Sequence, residues 1–401
     1  MLKRVFKAFS YPNFRMLWFG ACTSSIGTWM QQVAQAWVVF EMSKSAFMLG
    51  LDTALGQIPI LLFSLAGGVV ADRMDRRRLL IGSQLVQMTC AFTLTALIAT
   101  HTVHVWMILV LSFLVGTAQA FGGPAYQALV PTLVGKEDLQ NAIALNSIQF
   151  NLARFIGPTL GGWALANVGS QWCFFLNGLS FIAVIISIVR LPINFKPIVG
   201  GLSMFNSLKE GLGFVRRQSA MAGLIIIAFF MTAFTAPMLT FLPVFAKDVF
   251  HGGAILYTRL LSVSALGSIT GALVVAALGN VSNKGRIALL MLTALGAGIA
   301  LFATSHSLYF SYIVLFALGA ALMGAFAMIS SLVQLVATDE MRGRVMSVYN
   351  VAFRGGMPLG SLLSGRLIPI FSAPIVVAVN GILLFSLAIY FLTVQRRVAA
   401  L

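Results

Sequence analysis

The sequence predicts an all-α membrane protein whose twelve transmembrane helices fall into two pseudo-symmetric six-helix bundles. Three observations carry that expectation. The 401-residue chain is 59% hydrophobic and only 9% charged, with a mean hydropathy of +0.95, whereas a water-soluble domain is about one-quarter charged. Mainly apolar runs recur with centres near residues 28, 58, 90, 115, 153, 181, 232, 268, 295, 320, 356 and 383, and about 20 such residues cross a hydrocarbon layer of roughly 30 Å. The longest polar interruption, residues 190–218, divides these runs six and six. The expected domains are therefore 1–191, a linker over 192–219, and 220–401.

The chain opens on "MLKRVFKAFSYPNFR". It is basic enough for a signal peptide, but the apolar run that follows is too long and lacks a small-residue cleavage site, so it reads as a lead-in to span one. Span one contains "TWMQQVAQAW", residues 28–37. On a helix, Ser24, Thr28, Gln31 and Gln35 step by four, three and four and share an arc of roughly 60°, with Trp29 and Trp37 off it. Such a stripe is costly against lipid and must face protein or water. Gln31 and Gln35 can therefore line a cavity and bind substrate, or bond one helix to the next.

Acids are few: ten Asp and Glu in all. Asp52 lies inside span two and Glu41 at the outer end of span one, and both are candidates for proton coupling, since a carboxylate held part-way out of water suits a proton carrier. Pairing of Asp52 with Lys44 is the competing reading. Span two ends in "GGVVADRMDRRR", residues 67–78. There Gly68 would allow close helix contact, and Asp72 would face the positive N-terminal end of a neighbouring helix. With Arg73, Arg76 and Arg77 it forms a candidate gating cluster, in which Asp72 pairs with Arg342 or Arg344 at the start of span eleven.

Spans five and eleven echo each other at an offset of 200, setting Ser147, Arg154 and Pro158 against Ser347, Arg354 and Pro358. At 1.5 Å per residue, both arginines lie roughly 16 to 20 Å from the helix start, near mid-membrane. An intramembrane arginine marks a pathway or a partner, and no acid lies at that depth. Arg154 and Arg354, with Asn151 and Asn350 nearby, are therefore candidate contacts for an anionic or strongly hydrogen-bonding substrate. Bonding of the guanidiniums to carbonyls freed by the prolines is the alternative. Phe150, Phe155, Phe230, Phe234 and Phe353 could receive an amphipathic ligand, the alternative being that they face lipid or core.

Between the bundles, Pro192, Pro197, Gly200 and Gly201 break the chain. Leu202, Phe205, Leu208, Leu212 and Val215 then recur at helical spacing opposite Lys209 and Arg216, the pattern of an interfacial helix.

The net charge of +16 is not a nucleic-acid footprint. The basic residues lie in the termini and in every second loop, which by the positive-inside rule puts both termini in the cytoplasm. Cys22, Cys90 and Cys173 have no paired spacing and read as packing residues. The four histidines lack catalytic or metal-ligand spacing, and no G-x-x-x-x-G-K-[ST] loop is present. No enzymatic activity, cofactor or metal is expected.

The residues at 68–77 resemble the loop motif of the major facilitator superfamily, with Asp75 in place of a glycine. "GPTLGG", residues 157–162, resembles the end of that superfamily's antiporter motif, with Ala144 and Ala153 where two glycines stand upstream. "LVPTLVGKEDLQNAIALNS", "LVATDEMRGRVMSVYN" and the glutamine stretch resemble its bacterial exporter branch, which includes the enterobactin exporter and macrolide-efflux-like proteins. That resemblance implies alternating access, a cavity lined by span one with Gln31 and Gln35 facing it, gating at Gly157 and Pro158, and proton-driven efflux of a drug-like molecule or siderophore. It implies a monomer in the bacterial inner membrane, meeting substrate, protons and lipid. The arginine that many proton-coupled members carry in span four is here Ser112. An importer of a small anionic metabolite and a lipid-translocating or non-transporting protein are the alternative readings.

Overall fold

The computed structural model describes residues 6–191, 204–278 and 283–401, except for the side chains of residues 65, 72, 204–207, 276 and 278. Twelve long helices lie among them. Six are α1 (Pro12–Ser43), α2 (Ala46–Arg73), α3 (Arg76–Ala99), α4 (Val105–Leu129), α5 (Leu139–Asn167) and α6 (Ser170–Val189). A shorter α7 (Met204–Arg217) follows, and then α8 (Ser219–Thr240), α9 (Ala254–Leu278), α10 (Lys284–Thr304), α11 (Leu308–Val336), α12 (Arg342–Phe371) and α13 (Ala373–Thr393).

Among the described residues, nine helices are long and apolar enough to cross a membrane. The three long helices that miss that threshold are α1, α5 and α12, which carry the glutamine stripe, Arg154 and Arg354. Their length is that of a span, and their low hydropathy comes from the polar groups they carry. In a bilayer such helices need protein or water along part of their surface.

The chain divides into two compact units. In the first, α1 packs on α5 and α6, and α3 packs on α4 and α6. In the second, α8 packs on α12, α9 on α11, and α10 on α11 and α13. The duplication read from the sequence is repeated in the helix contacts. A Cβ added at Gly157 of α5 would lie 2.8 Å from the Ile26 carbonyl of α1, and one at Gly161 would lie 3.2 Å from the Met30 carbonyl. Gly356 and Gly360 of α12 meet α8 in the same way, with an added Cβ 2.8 Å from the Ala233 nitrogen and 2.7 Å from the Ala233 carbonyl carbon. Both pairs are spaced by four, the small-residue pattern that lets membrane helices approach closely.

The unit boundaries differ from the expected ones in two places. Residues 44–54, including the start of α2, group with residues 202–401. The cause is close packing on α12: a Cβ at Gly365 would lie 3.0 Å from the Ala46 carbonyl. The helix α7 also belongs to the second unit. Val215 is buried, Gly211 admits the Arg344 backbone, and Glu210 forms an ion pair with Arg344. Thus α7 is docked on the foot of α12. Leu202 lies outside the described residues, and so does the side chain of Phe205.

The three cysteines are free and buried. The lead-in is fastened to the foot of α5: the Ala8 N–H donates to Asn141 Oδ1 at 2.8 Å, Lys7 pairs with Asp138 at 2.8 Å, and the Tyr11 hydroxyl donates to Asp138 at 3.1 Å. The hydrogen bond from Lys7 holds the Asp138 carboxyl below its usual range, and the same bond holds Lys7 above its own. The sign follows for each group. Asp138 contributes stability above its unfolded pKa that is lost as pH falls through the folded value, and Lys7 contributes stability that is lost as pH rises through its folded value. Asp138→Asn is therefore expected to speed proteolysis of the first ten residues at neutral pH, and wild type should approach that speed only in acid, where Asp138 is protonated, or in base strong enough to neutralise Lys7. Equal cleavage of both forms at every pH would contradict the fastening.

Candidate functional site

The glutamines of α1 meet other helices. Asn177 of α6 donates to Gln31 Oε1 at 2.7 Å, and the Ser180 hydroxyl donates to Asn177 Oδ1 at 3.1 Å. Gln35 donates to the Ser112 hydroxyl of α4 at 2.8 Å, and Gln149 of α5 donates to Ser25 at 2.7 Å. The stripe thus bonds α1 to α4 and α6, and Ser25, off that arc, bonds it to α5. Gln31 is buried, while Gln35 is half-buried. Ser112 of α4 is where Gln35 docks. Gln31→Leu would leave Asn177 short of a partner, at a cost of about 1 to 2 kcal/mol. The expected result is a lower melting temperature with transport per folded molecule retained; lost transport at unchanged stability would instead assign Gln31 to the substrate.

Arg154 lies fifteen residues into α5 and Arg354 twelve into α12, roughly 22 and 18 Å along helices about 44 Å long. Among the described residues neither has a carboxylate partner. The Arg154 guanidinium stands over the Trp29 ring, 5.9 Å from its centroid, and Phe150 meets Trp29 edge-on at 5.8 Å. Asn151 donates to the Ser147 carbonyl at 2.8 Å, and its Oδ1 is buried without a partner. Near the exposed Arg354 and Asn350, Phe353 packs against Phe326 at 4.9 Å and Tyr349 at 5.9 Å. The Tyr349 hydroxyl is buried. Phe230 and Phe234 stack on α8 at 5.4 Å, and Phe155 is half-buried. Each unit therefore carries one arginine at mid-helix depth, and in the first that arginine meets an aromatic ring. Sequence reasoning placed Trp29 off the polar arc and did not foresee its contact with Arg154. Neither Tyr349 nor Asn177 was singled out, because a lone Tyr or Asn in an apolar run gives no periodic signal.

Asp52 is 8% exposed and Glu41 half-buried, and both are engaged with neighbours. Asp52 lies in the stretch of α2 that groups with the second unit, so α2 contributes residues to both units.

At the end of the helices that carries the basic loops, the arginines bond carbonyls at helix C-termini. Arg76 donates to Ala71 of α2 at 3.3 Å and Ala128 of α4 at 3.1 Å. Arg77 donates to Leu191 at 3.3 Å and to Val189 at the end of α6. A cation there satisfies orphan carbonyls and opposes the negative end of the helix dipole. Asp75, the departure from the motif, caps α3 by accepting from the Arg77 N–H at 2.9 Å, a standard role for Asp before a helix. Arg73 is exposed. The close approach of α2 to α4 is made at Gly67, where a Cβ would lie 3.0 Å from the Ala120 carbonyl carbon, and Gly68 is half-buried. Arg342 pairs with Asp339 at 2.6 Å and Arg344 with Glu210. The side chain of Asp72, their expected partner, lies outside those described.

A duplicated helical bundle of long, mostly apolar helices with arginines at mid-span has the architecture of the major facilitator fold. Solved structures agree on the fold. The nucleoside transporter NupG superposes with a TM-score of 0.74 at 14% identity, over 95% of this chain and 98% of its own. A bacterial homologue of the human lysosomal transporter Spinster does so at 0.71 and 13%, over 96% and 95%. The particular family is set by sequence: residues 4–400 match the family described as transmembrane secretion effector, and the chain belongs to it. The staphyloferrin A transporter of Staphylococcus aureus is 27% identical, over 93% of this chain and 94% of its own. Macrolide efflux protein A of Streptococcus pyogenes is 25% identical over 88% of each, and the enterobactin exporter EntS of Escherichia coli O1:K1 25% identical over 89% and 86%. The chain is thus a multi-pass membrane transporter and not an enzyme.

Proposed function

We propose that the protein exports a small amphipathic anion, a siderophore or drug-like molecule, from the cytoplasm by alternating access in exchange for protons. The observation that carries this reading is the pair Arg154 and Arg354, repeated in the two units and lacking carboxylate partners among the described residues. A guanidinium kept from lipid and from a counter-charge suits an anionic ligand, to which it can make two parallel hydrogen bonds. Asn151 and Asn350 add amides about one helical turn from these arginines, and Gln35 adds one on α1. Outward direction is supported by the names of the relatives, which include efflux proteins and an exporter. The positive-inside rule supports a cytoplasmic position for the end that carries the basic loops. Gly157 and Pro158, with the arginines at 73, 76, 77, 342 and 344, serve the conformational change, and the protein acts as a monomer in the inner membrane.

Proton coupling is assigned to Asp52, a buried carboxylate, with Glu41 on the outer side. In everted vesicles loaded by a proton gradient, Asp52→Asn is expected to abolish gradient-driven accumulation while leaving downhill exchange of substrate. Undiminished gradient-driven accumulation would remove Asp52 from the coupling.

A further inference from the structure

We infer that Trp29 and Phe150 make the Arg154 site selective for aromatic anions, so that the transported compound joins a planar ring directly to its anionic group. The inference rests on Arg154 touching the substrate and adds what surrounds that contact. The guanidinium stands 5.9 Å over the Trp29 centroid, within reach of the negative face of the indole. Drawn to that face by its charge, the guanidinium still has N–H donors of which a carboxylate or phenolate can take two. A ring joined directly to that anion is then brought against the aromatic surface beside Arg154. Phe150, 53% exposed and inclined at 72° to Trp29, offers the second surface. Gly157 makes the arrangement possible, since its missing Cβ is where Trp29 enters. In the second unit Arg354 has no such partner among the described residues, so the aromatic preference is assigned to the first.

The test uses the purified full-length protein in detergent and two probes of matched size, 2-naphthoate and its fully saturated counterpart, titrated by calorimetry. Wild type is expected to bind the aromatic acid about two- to ten-fold more tightly, the range expected of one aromatic contact. Trp29→Leu should bind both acids equally, at the affinity of the saturated one, and Trp29→Phe should restore part of the difference, which separates a lost ring from a damaged fold. Equal binding of both acids by wild type, or an unchanged preference in Trp29→Leu, overturns the aromatic selectivity while leaving the anion site intact. Wild-type affinity for both acids in Arg154→Gln overturns the anion site itself, and this inference with it.

Discussion

Arg354→Gln is expected to reduce transport by about 30-fold or more while the protein still reaches the membrane folded. Truncating one member of a desolvated, hydrogen-bonded charge pair costs about 2 to 5 kcal/mol, and each 1.4 kcal/mol is a factor of ten. Glutamine keeps hydrogen-bonding capacity and much of the volume, so what is removed is the charge and the fork. Because no carboxylate in the described residues pairs with Arg354, the substitution leaves no protein anion stranded, and the folded state should tolerate it. Arg354→Lys should fall between, since it keeps a point charge and loses the planar geometry. Arg154→Gln is expected to behave alike, with a small added loss from the Trp29 contact. The readout is transport per folded molecule, with folding followed by size-exclusion profile. A collapse of folded protein in both variants would mean that the guanidiniums hold the fold.

Gly157→Val should give the opposite signature, a loss of folded protein. An added Cβ at Gly157 already falls 2.8 Å from the Ile26 carbonyl and 3.1 Å from the Met30 nitrogen, distances at which backbone must move. Overpacking of this kind costs about 1 to 3 kcal/mol, and valine adds two methyl groups to it. The shift would also push Trp29 away from Arg154. Gly356→Val should do the same to α8 and α12, where Ala233 and Phe229 occupy the space. By contrast Gly123, with nothing within 4 Å of its Cβ position, should accept alanine with little change in melting temperature. Equal stability of all three variants would show that the two helix crossings are not held by close approach.

The architecture was legible because its signals are long-range sums. Span length, the six-and-six division and the repeat of Arg154 and Pro158 at 354 and 358 need no knowledge of contacts. The destination of individual side chains was less legible. Periodicity placed Gln31 and Gln35 on one arc of α1, but an arc of 60° on a membrane helix can face a cavity or a neighbour, and only the position of Asn177 and Ser112 shows which groups those amides meet. Asp75 was legible in principle, as an acid one residue before a helix, and was hidden by reading it against the glycine of a motif. Gly67 and Gly68 are adjacent, and sequence alone cannot say which one turns towards α4. The bonds of Arg76 and Arg77 to the ends of α2, α4 and α6 are set by which helices finish side by side, and hydropathy carries no information about that.

The account turns on the two arginines lying where water and solutes reach them and Gln31 lying where they do not. Cysteine placed singly at positions 31, 154 and 354, with Cys22, Cys90 and Cys173 replaced by alanine, and challenged with a charged thiol reagent on both sides of the membrane, measures that directly. Rapid labelling at 154 and 354 with protection at 31 is the predicted result; unreactive thiols at 154 and 354 would contradict it.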